Sequence, residues 1–320
     1  MTQRPRIVFM GTPEFAVATL QKLIDKNYNV VGVITAPDKP AGRGKKLRKS
    51  AVKLFAEQHG LPLLQPVNLK SDEFNKQLQA LNPDLQIVVA FRMLPEIVWR
   101  LPKLGTFNLH ASLLPDYRGA APINWAIING ETQTGVTTFF IDDKIDTGEI
   151  ILQEKVSITP DDNASSLHDK LMLTGSDLVI KTVDLITKGN MKTVAQPKVE
   201  MPKKAPKLHA GNTEINWQDT AENIHNLIRG LSYYPGAWTT INIQENDPKK
   251  LIIYKSRFEY AKHDEPVRNI TAGKKELKIA VKDGYIYPEI IKLQGKKMMD
   301  VTAFLNGLRD DRWLKIISNI

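Results

Sequence analysis

An asparagine and a histidine two residues apart, with an aspartate further along the chain, are the side chains best suited to catalysis. They lie in Asn108-Leu109-His110 and in Asp146-Thr147-Gly148. Alternate residues of an extended strand face the same side, so Asn108 and His110 would act together. An amide, an imidazole and a carboxylate can polarise a carbonyl, stabilise an oxyanion and transfer a proton. The three residues therefore predict acyl-transfer chemistry without a covalent intermediate on the enzyme.

Each of these residues also has a purely structural interpretation. A histidine near a strand end is often only a hydrogen-bonded polar residue. Asp146 has Asp142, Asp143 and Glu149 as neighbours, and an aspartate in such a turn can bond its own backbone. Spacing alone does not choose among these acids.

The sequence argues against several other kinds of site. The chain has no cysteine, which excludes disulfides, zinc–thiolate sites and cysteine nucleophiles. Its six histidines show no metal-ligand spacing, so we expect no metal. The turn Gly11-Thr12-Pro13 lacks the full GxGxxG pattern, which weighs against a dinucleotide oxidoreductase. No apolar run reaches the roughly 20 residues of a membrane span, and the N-terminus does not resemble a signal peptide. We expect a cytoplasmic protein without membrane contact.

The secondary-structure elements that position these residues are predicted to be alternating strands and helices. Apolar strands are predicted at 6–10, 29–35, 61–64, 84–90 and 105–109, and helices at 13–25, 50–59 and 71–81. This alternation predicts a Rossmann-like α/β domain, a mostly parallel sheet with helices on both faces. Ligands of such sheets bind at the carboxyl ends of the strands, where Asn108 and His110 fall. Two further strands, at 135–141 and 149–158, and a long helix at 164–188 complete the domain.

The composition changes after residue 189. Three prolines and four lysines within 196–207 predict an extended linker rather than a helix. Beyond it, short strands separated by turn residues, with helices at 220–229 and 301–309, predict a small β-barrel. The predicted domains are a catalytic domain (1–189), a basic linker (190–207) and a C-terminal barrel (208–320).

Positive charge is concentrated in two places. The chain carries a net charge of +9, with +6 in residues 38–53 and +7 in residues 191–320. Arg43 lies between Gly42 and Gly44 in the first of these segments. A flexible basic segment can order around a phosphate backbone, although a solvated loop and a solubilising tether would have the same composition.

Several motifs together resemble the folate-dependent formyltransferases, and in particular the members that act on tRNA. The motifs are RIVFMGTPEFA (6–16), PDKPAGRGKK (37–46), NLHASLLP (108–115), RGAAPI (118–123), GVT (135–137) and DTG (146–148). The asparagine–histidine run with its downstream DTG is specific for the folate-dependent group. The basic loop and the C-terminal third narrow the group to the tRNA-acting enzymes.

The resemblance implies a fold, two substrates and their sites. The C-terminal barrel would be OB-like, the formyl donor 10-formyltetrahydrofolate, and the acceptor the amino group of initiator methionyl-tRNA. We expect the enzyme to be a monomer. The implied catalytic residues are Asn108, His110 and Asp146; the cofactor-binding residues are Ser112, Leu113, Leu114 and Pro115; the tRNA-binding residues are Arg43, Lys45, Lys46, Lys203, Lys204 and Lys207. Asn108 and His110 would stabilise the formyl oxyanion, and Asp146 would assist proton transfer.

Two segments depart from the family pattern. The run at 90–95 (AFRMLP) is about one residue shorter than usual and places Arg92 near a customary glycine. This segment borders the folate pocket in the family, so we expect the departure to affect the contacts made with the pterin ring. Lys144 replaces another frequent glycine just before the DTG turn, which bears on the geometry of that loop.

Three alternatives stay open at this point. Another folate-dependent formyltransferase, or a formyl-folate hydrolase, would use the same core on a small substrate, although the basic segments argue against one. A non-catalytic RNA-binding protein on this fold is disfavoured by the intact set of Asn108, His110 and Asp146. A nucleotide-dependent oxidoreductase is disfavoured by the missing glycine pattern.

Overall fold

The computed structural model describes residues 4–41, 46–189, 191–244, 246–308 and 314–317. The chain divides into two compact units, each built from three segments. Unit 1 comprises Met1–Gly119, Thr134–Ser157 and His168–Lys204; unit 2 comprises Ala120–Gln133, Ile158–Leu167 and Ala205–Ile320. Unit 2 thus takes two segments from the part of the sequence predicted as the catalytic domain.

The strands and helices follow the predicted order closely. The strands are β1 (Ile7–Gly11), β2 (Val30–Ile34), β3 (Lys39–Ala41), β4 (Lys46–Arg48), β5 (Leu63–Leu64), β6 (Leu85–Val89), β7 (Thr106–His110), β8 (Arg118–Gly119), β9 (Gln133–Phe140), β10 (Ile150–Ser157), β11 (Lys204–Ala205), β12 (Ala237–Asn242), β13 (Pro248–Tyr260), β14 (Ile270–Ala272), β15 (Leu277–Val281), β16 (Gly284–Leu293), β17 (Met299–Asp300) and β18 (Lys315–Ile316). The helices are α1 (Glu14–Asp25), α2 (Ala51–Gln58), α3 (Asp72–Ala80), α4 (Glu96–Trp99), α5 (Pro122–Ile128), α6 (Ala164–Thr187), α7 (Ala210–Thr213), α8 (Ala221–Gly230) and α9 (Val301–Asn306).

Unit 1 is organised around a mostly parallel seven-stranded sheet in the order β10-β9-β7-β6-β1-β2-β5. Strand β1 pairs in parallel with both β2 and β6, β6 pairs in parallel with β7, and β9 runs antiparallel to β7. Alternate residues of β1 face opposite sides, and all five are buried. Val8 and Met10 pack in one core cluster with Phe74 and Leu78 of α3. The other face meets α6, whose Gly175 lies close to Leu109. The predicted parallel sheet with helices on both faces is confirmed.

The starts of α2 and α3 could be predicted from the sequence because each helix is capped by a serine side chain. Ser50 accepts a hydrogen bond from the Lys53 amide at the start of α2, and Ser71 accepts one from the Phe74 amide at the start of α3. Such a cap satisfies a donor that the helix itself leaves unpaired.

The ladder of β3 and β4 departs from the loop that the sequence predicts for this segment. Lys39 pairs with Arg48 and Ala41 with Lys46 in antiparallel register. Both strands are only three residues long, and their sequences, KPA and KLR, are too short to show the alternation of apolar and polar residues that reveals a strand.

Unit 2 contains a barrel-like antiparallel sheet in the order β14-β15-β16-β13-β12-β18. Its long central strand β13 pairs with β12 and β16 and shifts register near Lys255. Trp217 is completely buried in its core and donates from Nε1 to Thr239 Oγ1 at 3.0 Å. The predicted C-terminal β-barrel is confirmed. Within the described residues, the helices are too short or too polar to cross a membrane.

Candidate active site

His110 is the last residue of β7, beside the carboxyl end of β6. Its side chain is buried, with 7% of the residue exposed, and its Nε2 lies 2.9 Å from the carbonyl oxygen of Tyr117. A carbonyl oxygen can only accept, so Nε2 carries a proton. The other ring nitrogen, Nδ1, faces Asp146.

Asp146 lies on the turn between β9 and β10. Its Oδ2 is 3.9 Å from His110 Nδ1 and accepts a 3.0 Å hydrogen bond from the amide of Gly119. The backbone of Asp146 has φ +55°, in the left-handed region that few residue types adopt. The structure therefore brings the predicted histidine and aspartate together.

The neighbouring acids have other roles. Asp142 accepts hydrogen bonds from the Lys144 amide at 3.0 Å and from the Thr147 hydroxyl at 2.8 Å, and so organises the turn. Asp143 is exposed, and Glu149 accepts from the Thr193 hydroxyl. Of the four acids, Asp146 is the one that contacts His110. Lys144, which departs from the family pattern, uses its main chain in this turn.

Asn108 precedes His110 by two residues on the same strand, so the two side chains lie on one face of the sheet. It is half-buried and is flanked in register by Val88 of β6 and Phe139 of β9. Its amide is thus carried by a strand near the middle of the sheet, next to His110, as predicted.

Residues 112–115 form a braced turn after β7. The Ser112 hydroxyl donates to the Asp116 carbonyl at 2.7 Å, and Leu114 packs against Phe139 and Ile150. Thr137 donates to the Ser112 carbonyl at 2.6 Å. The side chains of Ser112 and Leu114 therefore support the turn, while Leu113 and Pro115 are only half-buried.

Arg92 ties its short segment to the loop after β5. Its guanidinium donates to the carbonyl oxygen of Val67 at 2.9 Å and also to that of Pro66. Burial lowers the pKa of Arg92 below its ordinary value. These main-chain contacts hold the segment at 90–95 in place without the customary glycine.

The predicted tRNA-binding residues are only partly described. Arg43 and Lys45 lie outside the described residues, and Lys46 is described only as the first residue of β4. Lys203, Lys204 and Lys207 are exposed.

Among the residues that the structure describes, no group of three or more histidine, cysteine, aspartate or glutamate side chains could hold a metal ion.

Three groups that contact His110 or Asp146 were not predicted from the sequence. They are the Tyr117 carbonyl, the Gly119 amide and the side chain of Gln196. The first two are main-chain groups, so residue type gives no sign of them. Their position next to the RGAAPI motif is the signal that points to this segment.

Comparison with known proteins identifies the class. The protein-family model "Formyl transferase" matches residues 5–183, and the family model "Formyl transferase, C-terminal domain" matches residues 207–309. Among solved structures, an N-formyltransferase from Helicobacter canadensis has a TM-score of 0.66 at 21% identity, covering 89% of this chain and 98% of its own. HypX from Aquifex aeolicus has a TM-score of 0.65 at 16% identity, covering 95% of this chain and 47% of its own. The chain belongs to the formyl transferase family.

Sequence relatives narrow the class further. The methionyl-tRNA formyltransferase of Flavobacterium johnsoniae is 55% identical over 96% of this chain and 97% of its own. That of Parabacteroides distasonis is 52% identical over 95% of this chain and 96% of its own. The similarity to both relatives extends across the two units, so it includes the C-terminal third as well as the candidate active site.

Proposed function

We propose that this chain is a methionyl-tRNA formyltransferase, which transfers the formyl group of 10-formyltetrahydrofolate to the amino group of initiator methionyl-tRNA. The observation that carries the mechanism is the pairing of His110 Nδ1 with the Asp146 carboxylate at 3.9 Å, while Nε2 is held by the Tyr117 carbonyl. The relatives at 50–55% identity support the choice of substrates.

The reaction begins when the neutral amine attacks the formyl carbon. A C–N bond forms, and the carbonyl electron pair moves to the formyl oxygen. Asn108 Nδ2–H and the Nδ1–H of a protonated His110 donate hydrogen bonds to this oxyanion. Donors of this kind each accelerate such reactions by about 10²–10³. Because Nε2–H remains bonded to Tyr117, donation from Nδ1 requires a proton on both ring nitrogens.

The second half of the reaction releases the folate. Asp146 takes the proton from the attacking nitrogen, directly or through one water. The oxyanion then re-forms the carbonyl, the bond from carbon to N10 breaks, and N10 receives the proton that Asp146 took from the amine, directly or through water. The products are the formylated amine and tetrahydrofolate, with no net change in the enzyme.

The two substrates would be held by different parts of the chain. We assign the folate to the turn formed by Ser112, Leu113, Leu114 and Pro115, in which Leu113 and Pro115 are the half-buried members. We assign the tRNA to Arg43, Lys45, Lys46, Lys203, Lys204 and Lys207. These substrates imply a cytoplasmic enzyme, and one chain carries the whole proposed site, so we propose a monomer.

The test measures formyl transfer from 10-formyltetrahydrofolate to charged initiator tRNA. Uncharged tRNA and buffer serve as controls for hydrolysis and for transfer to other groups. Formylation of the charged tRNA alone supports the proposal. Hydrolysis without an acceptor, or transfer to small amines at an equal rate, would instead support the small-substrate alternative.

The assignment to Arg43 has its own test. Arg43→Ala should lower kcat/KM for tRNA while the Kd for folate stays unchanged. A loss of folate affinity would contradict the placement of tRNA on this segment.

A further inference from the structure

Residues 191–204, here called the strap, follow the last helix of unit 1 and precede the C-terminal part of unit 2. The sequence suggests a tether, because the segment is rich in proline and lysine. Val194 instead forms a two-way backbone bridge with Ile150 at the start of β10, with hydrogen bonds of 2.8 and 2.9 Å. The strap is therefore bound to unit 1 at the strand that follows the Asp146 turn.

Gln196 forms the central contact of the strap. Its Nε2 donates to the carbonyl of Asp146 at 3.0 Å and to that of Gly148 at 2.8 Å. Its Oε1 accepts from Nε and Nη2 of Arg118, at 3.2 and 2.5 Å. One half-buried amide thus joins the turn that carries the catalytic carboxylate to the residue immediately before Gly119.

This connection closes a ring of contacts around Asp146. The Gly119 amide holds the Asp146 side chain, and Gln196 holds the Asp146 main chain and the Arg118 side chain. Since Asp146 has a positive φ, its turn needs outside support to keep the carboxylate aimed at His110.

The strap also contacts the segment that holds His110. The Lys203 carbonyl accepts from the Tyr117 amide at 2.7 Å, and the Lys203 amide donates to Asp116 Oδ1 at 3.1 Å. Tyr117 is the residue whose carbonyl accepts from His110 Nε2. Tyr117, whose carbonyl supports His110, and Arg118, which precedes the Gly119 amide that supports Asp146, therefore both bond to the strap.

We propose that Gln196 is a positioning residue for formyl transfer, which acts through Asp146 and does not touch either substrate. This inference rests on the proposed function. It assigns to the strap a catalytic role that a tether would not have, since its amide determines the distance and direction between the carboxylate and the imidazole.

The test compares Gln196→Ala with two matched controls in the full-length chain. Gln77→Ala removes an exposed glutamine from α3, and Val199→Ala changes an exposed residue of the strap itself. Misplacement of a catalytic group by about 1 Å costs about 100-fold, so Gln196→Ala should lower kcat by about 10- to 100-fold. KM for both substrates should change by less than about threefold, and the controls should match the wild type.

A pH profile separates positioning from general loss of structure. If the carboxylate moves away from His110, the acidic limb of the kcat profile should shift in Gln196→Ala but not in Val199→Ala. Unchanged kcat and pH profile in a folded Gln196→Ala protein would overturn the inference, as would an effect confined to KM for tRNA.

A second variant covers the case in which Gln196→Ala does not fold. Gln196→Glu retains the size and the acceptor for Arg118, but loses both donors to the Asp146 and Gly148 carbonyls. The same fall in kcat is expected, and wild-type turnover would refute the role. Wild-type protein that transfers no formyl group would instead refute the proposed function.

Discussion

Replacement of His110 by three different side chains tests whether its two ring nitrogens have the separate roles that the structure gives them. Glutamine can place an N–H near the Nε2 position, where it would keep the hydrogen bond to Tyr117. Asparagine can place an N–H near the Nδ1 position, opposite Asp146. Alanine can do neither.

The expected losses follow from the geometry. The alanine and glutamine variants both lose Nδ1, which lies 3.9 Å from Asp146 Oδ2 and is the proposed donor to the oxyanion. One such donor contributes about 10²–10³ to the rate. We therefore expect His110→Ala and His110→Gln to lower kcat by about 10²–10⁴. His110→Asn should retain about tenfold more activity than His110→Gln, because a neutral donor still faces the oxyanion.

Stability should follow a different order. Alanine leaves the buried Tyr117 carbonyl without its donor, at a cost of about 1–3 kcal/mol. His110→Gln should keep most of that stability. Single-turnover rates give the chemical step, and urea unfolding gives the free energy of unfolding. A His110→Gln enzyme as active as His110→Asn would refute the assigned role of Nδ1.

Three further predictions concern the turn, the pH dependence and the core. In Gly148→Ala the new Cβ would lie 1.7 Å from the Phe140 carbonyl oxygen, so the Asp146 turn must move. We expect kcat to fall about 100-fold, and the affinity for folate is the control measurement. Burial lowers the pKa of His225, so the unfolded state binds its proton first as pH falls below about 6.5. Stability should then decline by up to about 1.4 kcal/mol per pH unit, and a His225→Gln variant with the same pH dependence of unfolding would contradict this. Trp217→Phe removes a buried hydrogen bond to Thr239 and should lower the free energy of unfolding in urea by about 1–3 kcal/mol. In the control variant Trp99→Phe, the change in this free energy should be near zero.

Much of the fold could be predicted because its signals are carried by side chains. The apolar runs of β1 and β6 and the serine caps of α2 and α3 indicate their elements directly. The ladder of β3 and β4 was not predicted, since its strands are too short and too charged to show a buried face.

The sequence offered Asn108, His110 and Asp146 as candidate catalytic residues, but it did not show how they are arranged. Sequence alone did not separate Asp146 from Asp142, because the choice depends on a backbone turn that aims one carboxylate at His110. His110 carries a proton on Nε2 because this nitrogen bonds to the main-chain carbonyl of Tyr117, seven residues away. Every residue type has such a carbonyl, so the sequence gives no sign of this contact. Gln196 was not singled out because its three partners are distant in sequence.

Unit 2 is built from three separate segments of the chain, which limits where the chain can be truncated or joined to a relative. Helix α5 belongs to unit 2, where Asn124 donates to the Gly230 carbonyl at 2.8 Å and Ile128 packs close to Gly230. A fragment that ends at residue 207 would keep α5 but lose α8. Exchange of the C-terminal third between family members must therefore carry residues 120–133 and 158–167 with it.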